Sequence, residues 1–301
     1  MNTAVFRREL LDRLRAVRTV MSILAFAVLA CLLVYMRWPS DSRLEIVSGD
    51  SKPDIVNRDS MPDMLSRGSM LVFAPLAYGL AAAVMLLVPA FPATALVKER
   101  RRGTLTLLLN SPMSPLEIYG GKLAANFLLA LILISTCLPA LAACYAMGGL
   151  TIIDHIVPLL IVLAAMSLQY STVGLLISVR SSTSDSSLRW TYAAVLMLTL
   201  LTLAPAAIIG NIDSWKGTAA RWMTTLSPAG SLRELTGTVA ASADLGLVGS
   251  WKGYVLSACL SSLVFAVITL VYPDPYRADR SKPKGRLTHE RGFWRPRLAS
   301  L

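Results

Sequence analysis

Gly121-Lys122, the two histidines His155 and His289, and the cysteines Cys31, Cys137, Cys144 and Cys259 are the residues whose types could support chemistry. A phosphate cradle requires GxxxxGK followed by Ser or Thr, so that backbone N–H groups gather around the anion. Leu123 follows Lys122, and Leu116 stands where the first glycine belongs, so this chain does not bind nucleotide there. Histidine-based hydrolysis needs paired histidines, as in HExxH, and no such pair exists. The cysteines lack CxxC spacing and all fall within apolar runs, where small packing residues are the expected use. Carriers driven by protons or sodium place acids or histidines at mid-depth in the membrane. The polar groups at depth here are neutral: Asn126, Ser167, Gln169, Tyr170, Ser171 and Thr172. Their first use is interhelical hydrogen bonding, each bond worth about 1 kcal/mol. Lining a path for cargo is their second.

The segment left with functional character is Glu99–Lys122, ERRRGTLTLLLNSPMSPLEIYGGK, a basic amphipathic island between two apolar runs. Gly103 permits a turn, and Thr104 is placed to cap the helix that follows. Leu105, Leu107, Leu108 and Leu109 are too apolar for an open loop. Asn110-Ser111-Pro112 breaks that helix. Ser114-Pro115 starts a second one, which carries Glu117 and is expected to end at Gly120-Gly121. Lys122 then anchors the next apolar run at the interface. Such an element suits a knob for a soluble partner. Its competing reading is a re-entrant loop packed only on its own spans.

Six apolar runs must position this element: Thr19–Met36, Met70–Val97, Leu123–Met147, Ile156–Val179, Trp190–Ile212 and Tyr254–Tyr272. Each approaches or exceeds the ~20 residues that cross a bilayer at 1.5 Å per residue. None contains Asp, Glu, Lys or Arg. A chain of 301 residues that is 54% hydrophobic and 16% charged cannot clothe a soluble surface of that size. The fold class expected is all-α integral membrane protein. Val28-Leu29-Ala30-Cys31 resembles a lipoprotein cleavage box, but the apolar run continues through Met36, so the segment reads as a span.

Lys and Arg number five in the amino-terminal arm, five in the second connection, two in the fourth and eight after Tyr272. The first, third and fifth connections hold five, none and four. By the positive-inside rule both termini face the cytoplasm, as does 99–122. The net charge of +11 is thus a topology signal, and its division among four segments argues against nucleic acid.

Phe6, Leu10, Leu14 and Val17 share one helical face, with arginines around the rest, so 1–18 is expected to lie in the headgroup plane. The outer connections are expected at 37–69, polar and irregular, and at 213–253, where tryptophans suggest short helices at the outer leaflet. The six-span region is expected at 19–272, and 273–301 is expected to form a basic tail. Pro89 and Pro92 should break the second span near its cytoplasmic end. Pro139, Pro158 and Pro205 put single interruptions in the third, fourth and fifth, which can line a pathway but are read here as the prolines that membrane helices tolerate. Arg180–Arg189 reads as a serine-rich loop. Gly79 and Ala83 form a small-xxx-small pair suited to close helix contact.

The 99–122 segment resembles the signature of ABC type-2 permeases, the membrane subunits of one class of ATP-binding-cassette exporters. Glu99, Gly103-Thr104-Leu105, Leu108-Leu109, Pro112, Ser114, Glu117-Ile118 and Gly121-Lys122 stand in the places of that pattern. Leu226-Ser227-Pro228 resembles the family's outer re-entrant region more weakly. The resemblance implies that 99–122 is a coupling helix docking on a separate ATPase, with Glu99, Arg100, Arg101 and Arg102 holding register and the leucines giving contact area. It implies two permease subunits, alike or related, two ATPase subunits, outward transport and the cytoplasmic membrane of a prokaryote. ATP and magnesium would be bound by the partner, leaving this chain without cofactor or catalytic residue. A membrane scaffold or sensor that docks a cytoplasmic protein without conducting anything is the alternative from another class.

Overall fold

The computed structural model describes residues 10–11, 14–38, 61–101, 115–148, 150–209, 222–237 and 250–271. These residues are helical throughout, apart from turns and caps. Six helices are long and apolar enough to cross a membrane: Thr19–Arg37, Ser69–Glu99, Leu116–Ala146, Ile152–Arg180, Ser184–Ala204 and Trp251–Val271. The protein is therefore a multi-pass membrane protein. The spans match the expected six and start one to two turns earlier in the third, fourth and fifth, so they take in charged residues such as Glu117, Lys122 and Asp154.

Helix α1, Val17–Arg37, packs on α2, Met61–Leu87. A Cβ at Gly79 would meet the Leu33 side chain, so the small residue serves a close contact inside this chain. Helix α2 begins within the first connection, which was expected to be irregular to Gly68; Met61–Gly68 extends the span as helix. A membrane-bound backbone satisfies its polar groups most cheaply this way. For the same reason α2 runs through Pro75 without a break.

After Val88-Pro89 the chain makes a one-turn helix α3, Ala90–Ala93, and then α4, Ala95–Arg101. This is the break expected from the proline pair. Helix α5, Pro115–Ser135, is followed by a turn at Thr136-Cys137 and by α6, Leu138–Ala146, with Pro139 in its first turn. A wide π-turn, Ile152–Ile156, leads into α7, Val157–Arg180, where Pro158 also occupies the first turn. Helix α8, Ser184–Ile209, passes through Pro205 uninterrupted, as membrane helices tolerate proline. Helix α9, Pro228–Leu235, is short, and α10, Trp251–Val271, is the last.

Helix α7 is the central post of the bundle. It packs most extensively on α10, and also on α2, α3, α4, α5, α8 and α9. Fifteen of its residues are buried, on every face, which is why its sequence lacks an amphipathic stripe. Helix α9 begins at the Leu226-Ser227-Pro228 segment singled out in the sequence. The Ser227 hydroxyl accepts the Ala229 N–H and starts the helix, and Pro228, Ser231, Leu232 and Leu235 are buried.

Two further expectations are corrected. The serine-rich loop shrinks to Ser181–Thr183, because α8 begins at Ser184 and takes Arg189 into helix. Gly120-Gly121 does not end a short helix; α5 runs through both. Two helical glycines cost about 2 kcal/mol, less than freeing buried carbonyls at membrane depth would. The amino-terminal segment 1–9, the connections 39–60, 102–114 and 238–249, and the tail 272–301 lie outside the described residues. The expected interfacial helix, first outer connection and basic tail fall largely or wholly there.

Candidate functional site

The continuity of α5 relocates Lys122. From Pro115 to Lys122 the helix rises about 10 Å, so Lys122 sits two turns inside it and not at an interfacial start. Its side chain is 2% exposed and its Nζ lies 2.6 Å from Glu99 Oε1, whose side chain is 21% exposed. The Asn126 amide donates to the Lys122 carbonyl at 2.9 Å, one turn further in. Burying a lone ammonium is costly, and it is tolerated here because the carboxylate at the end of α4 meets it. Glu99 and Lys122 thus clasp the two ends of the connection 102–114.

Of the residues singled out between them, Arg100 and Arg101 lie in the last turn of α4. Glu117 lies in the first turn of α5, where a carboxylate suits the helix dipole. Gly121 is buried beside Lys122. Gly103, Thr104, Leu105, Leu108, Pro112 and Ser114 lie outside the described residues.

Behind the clasp, the proline break is held by side chains from α7 and α8. The Ser187 hydroxyl donates to the Ala93 carbonyl at 2.6 Å. The Tyr192 hydroxyl donates to the Leu86 carbonyl, and the Ser178 hydroxyl accepts the Leu96 N–H at 3.2 Å. These are backbone groups that an unbroken helix would have paired internally. Gly174 lets the broken segment approach α7: a Cβ there would stand 2.7 Å from Pro92 Cγ and 3.3 Å from the Ala93 nitrogen. None of these four partners was singled out from the sequence. The signal was present, since two prolines free carbonyls that need donors and a serine-rich stretch lies at the same end. Ser187→Ala is expected to lower stability by about 1 kcal/mol, measured as a shift in the denaturation midpoint in detergent.

The neutral polar residues at depth form a second group. Gln169 joins α7 to α10: its Nε2 donates to Ser261 Oγ at 3.0 Å, and its Oε1 accepts from the Tyr254 hydroxyl at 3.2 Å. Tyr170 is fully buried. The hydroxyls of Ser167 and Thr172 donate to carbonyls of their own helix, at Ala164 and Gln169. Asn126 belongs to α5 and the clasp. The bonds made by Ser167, Gln169 and Thr172 serve helix structure and packing. Gln169→Leu leaves the Tyr254 hydroxyl without its acceptor. It is expected to cost about 1–2 kcal/mol, seen as an earlier thermal midpoint, which Gln169→Asn would not restore because of its shorter reach.

Against known proteins, the family model described as ABC-2 family transporter protein matches residues 49–271, from the first connection to the end of α10. The chain belongs to the ABC-2 family of transporter proteins. No curated protein matches it. As an ABC-2 protein it is the membrane component of an ABC transporter, and such components associate with an ATPase. The family match takes in the clasp, the proline break, α7 and α9, while α1 lies outside it.

Proposed function

We propose that this ABC-2 protein is the permease subunit of an exporter driven by a separate cytoplasmic ATPase. The observation that carries the reading is the Glu99–Lys122 clasp. A short segment whose two ends are tied by a buried ion pair moves with its flanking spans as one body. Force applied to 102–114 therefore reaches α4 and α5 together. The break at Pro89 and Pro92 gives α4 freedom from α2, while the hydroxyls of Ser178, Ser187 and Tyr192 pass its displacement to α7 and α8.

In this reading 99–122 faces the cytoplasm, as the Lys and Arg asymmetry supports, in the cytoplasmic membrane of a prokaryote. Arg100, Arg101 and the connection 102–114, with Gly103, Thr104, Leu105, Leu108, Pro112 and Ser114, form the coupling surface, and Glu117 and Gly121 support it from α5. Glu99 and Lys122 act by positioning that surface. Two permeases, identical or related, and two ATPases make the working unit. The path lies between the permeases, with Asn126, Ser167, Gln169, Tyr170 and Thr172 as its candidate lining. ATP and magnesium bind the partner, which performs hydrolysis.

The test is co-purification from membranes followed by reconstitution in vesicles with the ATPase that travels with the chain. Gly103→Pro is expected to reduce cargo-stimulated ATP turnover at least tenfold while the complex persists. Full coupling in a Glu99→Lys, Gly103→Pro double variant would overturn the proposal. A stable complex with no ATP-dependent movement of any cargo would favour the scaffold reading.

A further inference from the structure

A second site lies at the opposite end of the bundle from the clasp. Where the π-turn, the end of α9 and the start of α10 meet, the protein encloses a cleft of about 410 Å³. Its floor is apolar, formed by the buried Pro158 and Leu235, and its wall is the Trp251 indole. Its rim carries Asp154, Glu234 and Lys252. Glu234 Oε2 accepts the Trp251 N–H at 2.6 Å, which fixes that carboxylate at the start of α10. Asp154 is exposed and accepts the Thr151 hydroxyl at 2.8 Å. Lys252 Nζ lies 5.6 Å above the Trp251 ring, and among the described residues it pairs with neither carboxylate. His155 is engaged by Thr151 and by the edge of Phe73.

The cleft thus presents charges of both signs, not neutralised by each other, above an apolar floor. Two spans start here, at Ile152 and at Trp251, and span ends stand at the level of lipid headgroups. Irregular backbone at membrane depth occurs where it lines a cavity, and a π-turn is a frequent mark of a functional site. Among the described residues no cluster of His, Cys, Asp and Glu is arranged to hold a metal ion. The volume falls within the range of small-ligand sites.

We propose that this cleft binds a phosphoethanolamine group, with its ammonium donating to Asp154 and Glu234 and its phosphate meeting Lys252. An ammonium has three N–H donors, enough for both carboxylates. Ile153, 79% exposed beside the floor, extends the apolar surface outward to where an acyl chain would run. The chemistry is shared by a bilayer phosphatidylethanolamine and by free phosphoethanolamine. The inference stands apart from the transport reading, since it uses neither the clasp nor an ATPase.

The experiment is titration of the purified full chain, in non-ionic detergent, with dihexanoyl phosphatidylethanolamine, phosphatidylglycerol and phosphatidylcholine. The ethanolamine lipid is expected to bind once per chain. The glycerol lipid, which has no cation, should bind at least tenfold more weakly, and the choline lipid, whose nitrogen has no N–H, at least fivefold. Asp154→Asn should weaken the ethanolamine lipid at least fivefold and leave the glycerol lipid unchanged; Lys252→Gln should weaken both. Both residues are exposed, so neither change disturbs the core. Displacement by free phosphoethanolamine would assign the site to a soluble zwitterion, and persistence against it would assign the site to bilayer lipid. Equal affinity for the ethanolamine and glycerol lipids, or indifference to Asp154→Asn, would overturn the inference.

Discussion

Lys122→Met is expected to cost about 3 kcal/mol and to abolish coupling. The side chains have similar length and volume, so the loss comes from charge and not from a cavity. Removing the ammonium takes the 2.6 Å Lys122 contact from the Glu99 carboxylate, which is four-fifths buried, and breaking a buried pair on one side costs about 3–5 kcal/mol. The partial exposure of Glu99 puts the expectation at the lower end. A double change, Glu99→Leu with Lys122→Met, removes both charges and should recover most of that stability, since apolar replacements of buried pairs are often neutral. Thermal midpoints in detergent for the two single variants and the double would give the pair's coupling energy. The same three proteins, reconstituted, separate stability from function. If the clasp fixes the coupling segment by its directed hydrogen bond, the double variant is stable and still couples poorly. Full coupling in the double variant would reduce the clasp to a structural tie.

Gly174→Leu is expected to have the second large effect. The position lies against a proline ring and a backbone nitrogen, neither of which can rotate away. Even Gly174→Ala must push α3 outward by several tenths of an ångström, costing about 1–3 kcal/mol. Leucine cannot be accommodated without separating α3 from α7. Separation would also break the bonds from Ser187 to Ala93 and from Ser178 to Leu96, because those groups flank the same contact. Limited proteolysis should then reveal new cleavage near 88–102 in Gly174→Leu, with α10 still protected. An unchanged digestion pattern would show that the break tolerates displacement. A compensating Pro92→Ala should restore part of the loss in Gly174→Ala, because it removes the nearer obstacle.

The sequence made the spans legible because lipid exposure imposes a simple rule, runs of apolar residues of sufficient length. All six appear where the runs lie, and so does the break at Pro89 and Pro92. It failed where local preference and membrane energetics disagree. Gly120-Gly121 weakens a helix in water, yet at membrane depth freed carbonyls cost more than two glycines. Helix therefore continued through both. The Arg180–Arg189 stretch misled for a related reason: its serines looked like loop residues, whereas Ser187 is buried because the Ala93 carbonyl needs a donor. The clasp was half visible. Glu99 and Lys122 bounded the segment from the start, but their mutual distance depends on how far α5 extends, which no local pattern states. The cleft at the other end was beyond reading, since Asp154, Glu234 and Lys252 come from three separate stretches of chain and only tertiary packing brings them together.

The tie between Gln169 and Ser261 has a consequence for how the molecule is made. The two residues are 92 positions apart, and at about 5–20 residues per second their syntheses are separated by roughly 5–20 s. During that interval the fourth span carries a side-chain amide with no partner on the last. The ribosome must finish α10 before the central post can be closed in. The nascent chain is thus expected to stay beside its insertion machinery through that delay, and a stop codon anywhere before Trp251 should yield a product that quality-control proteases remove.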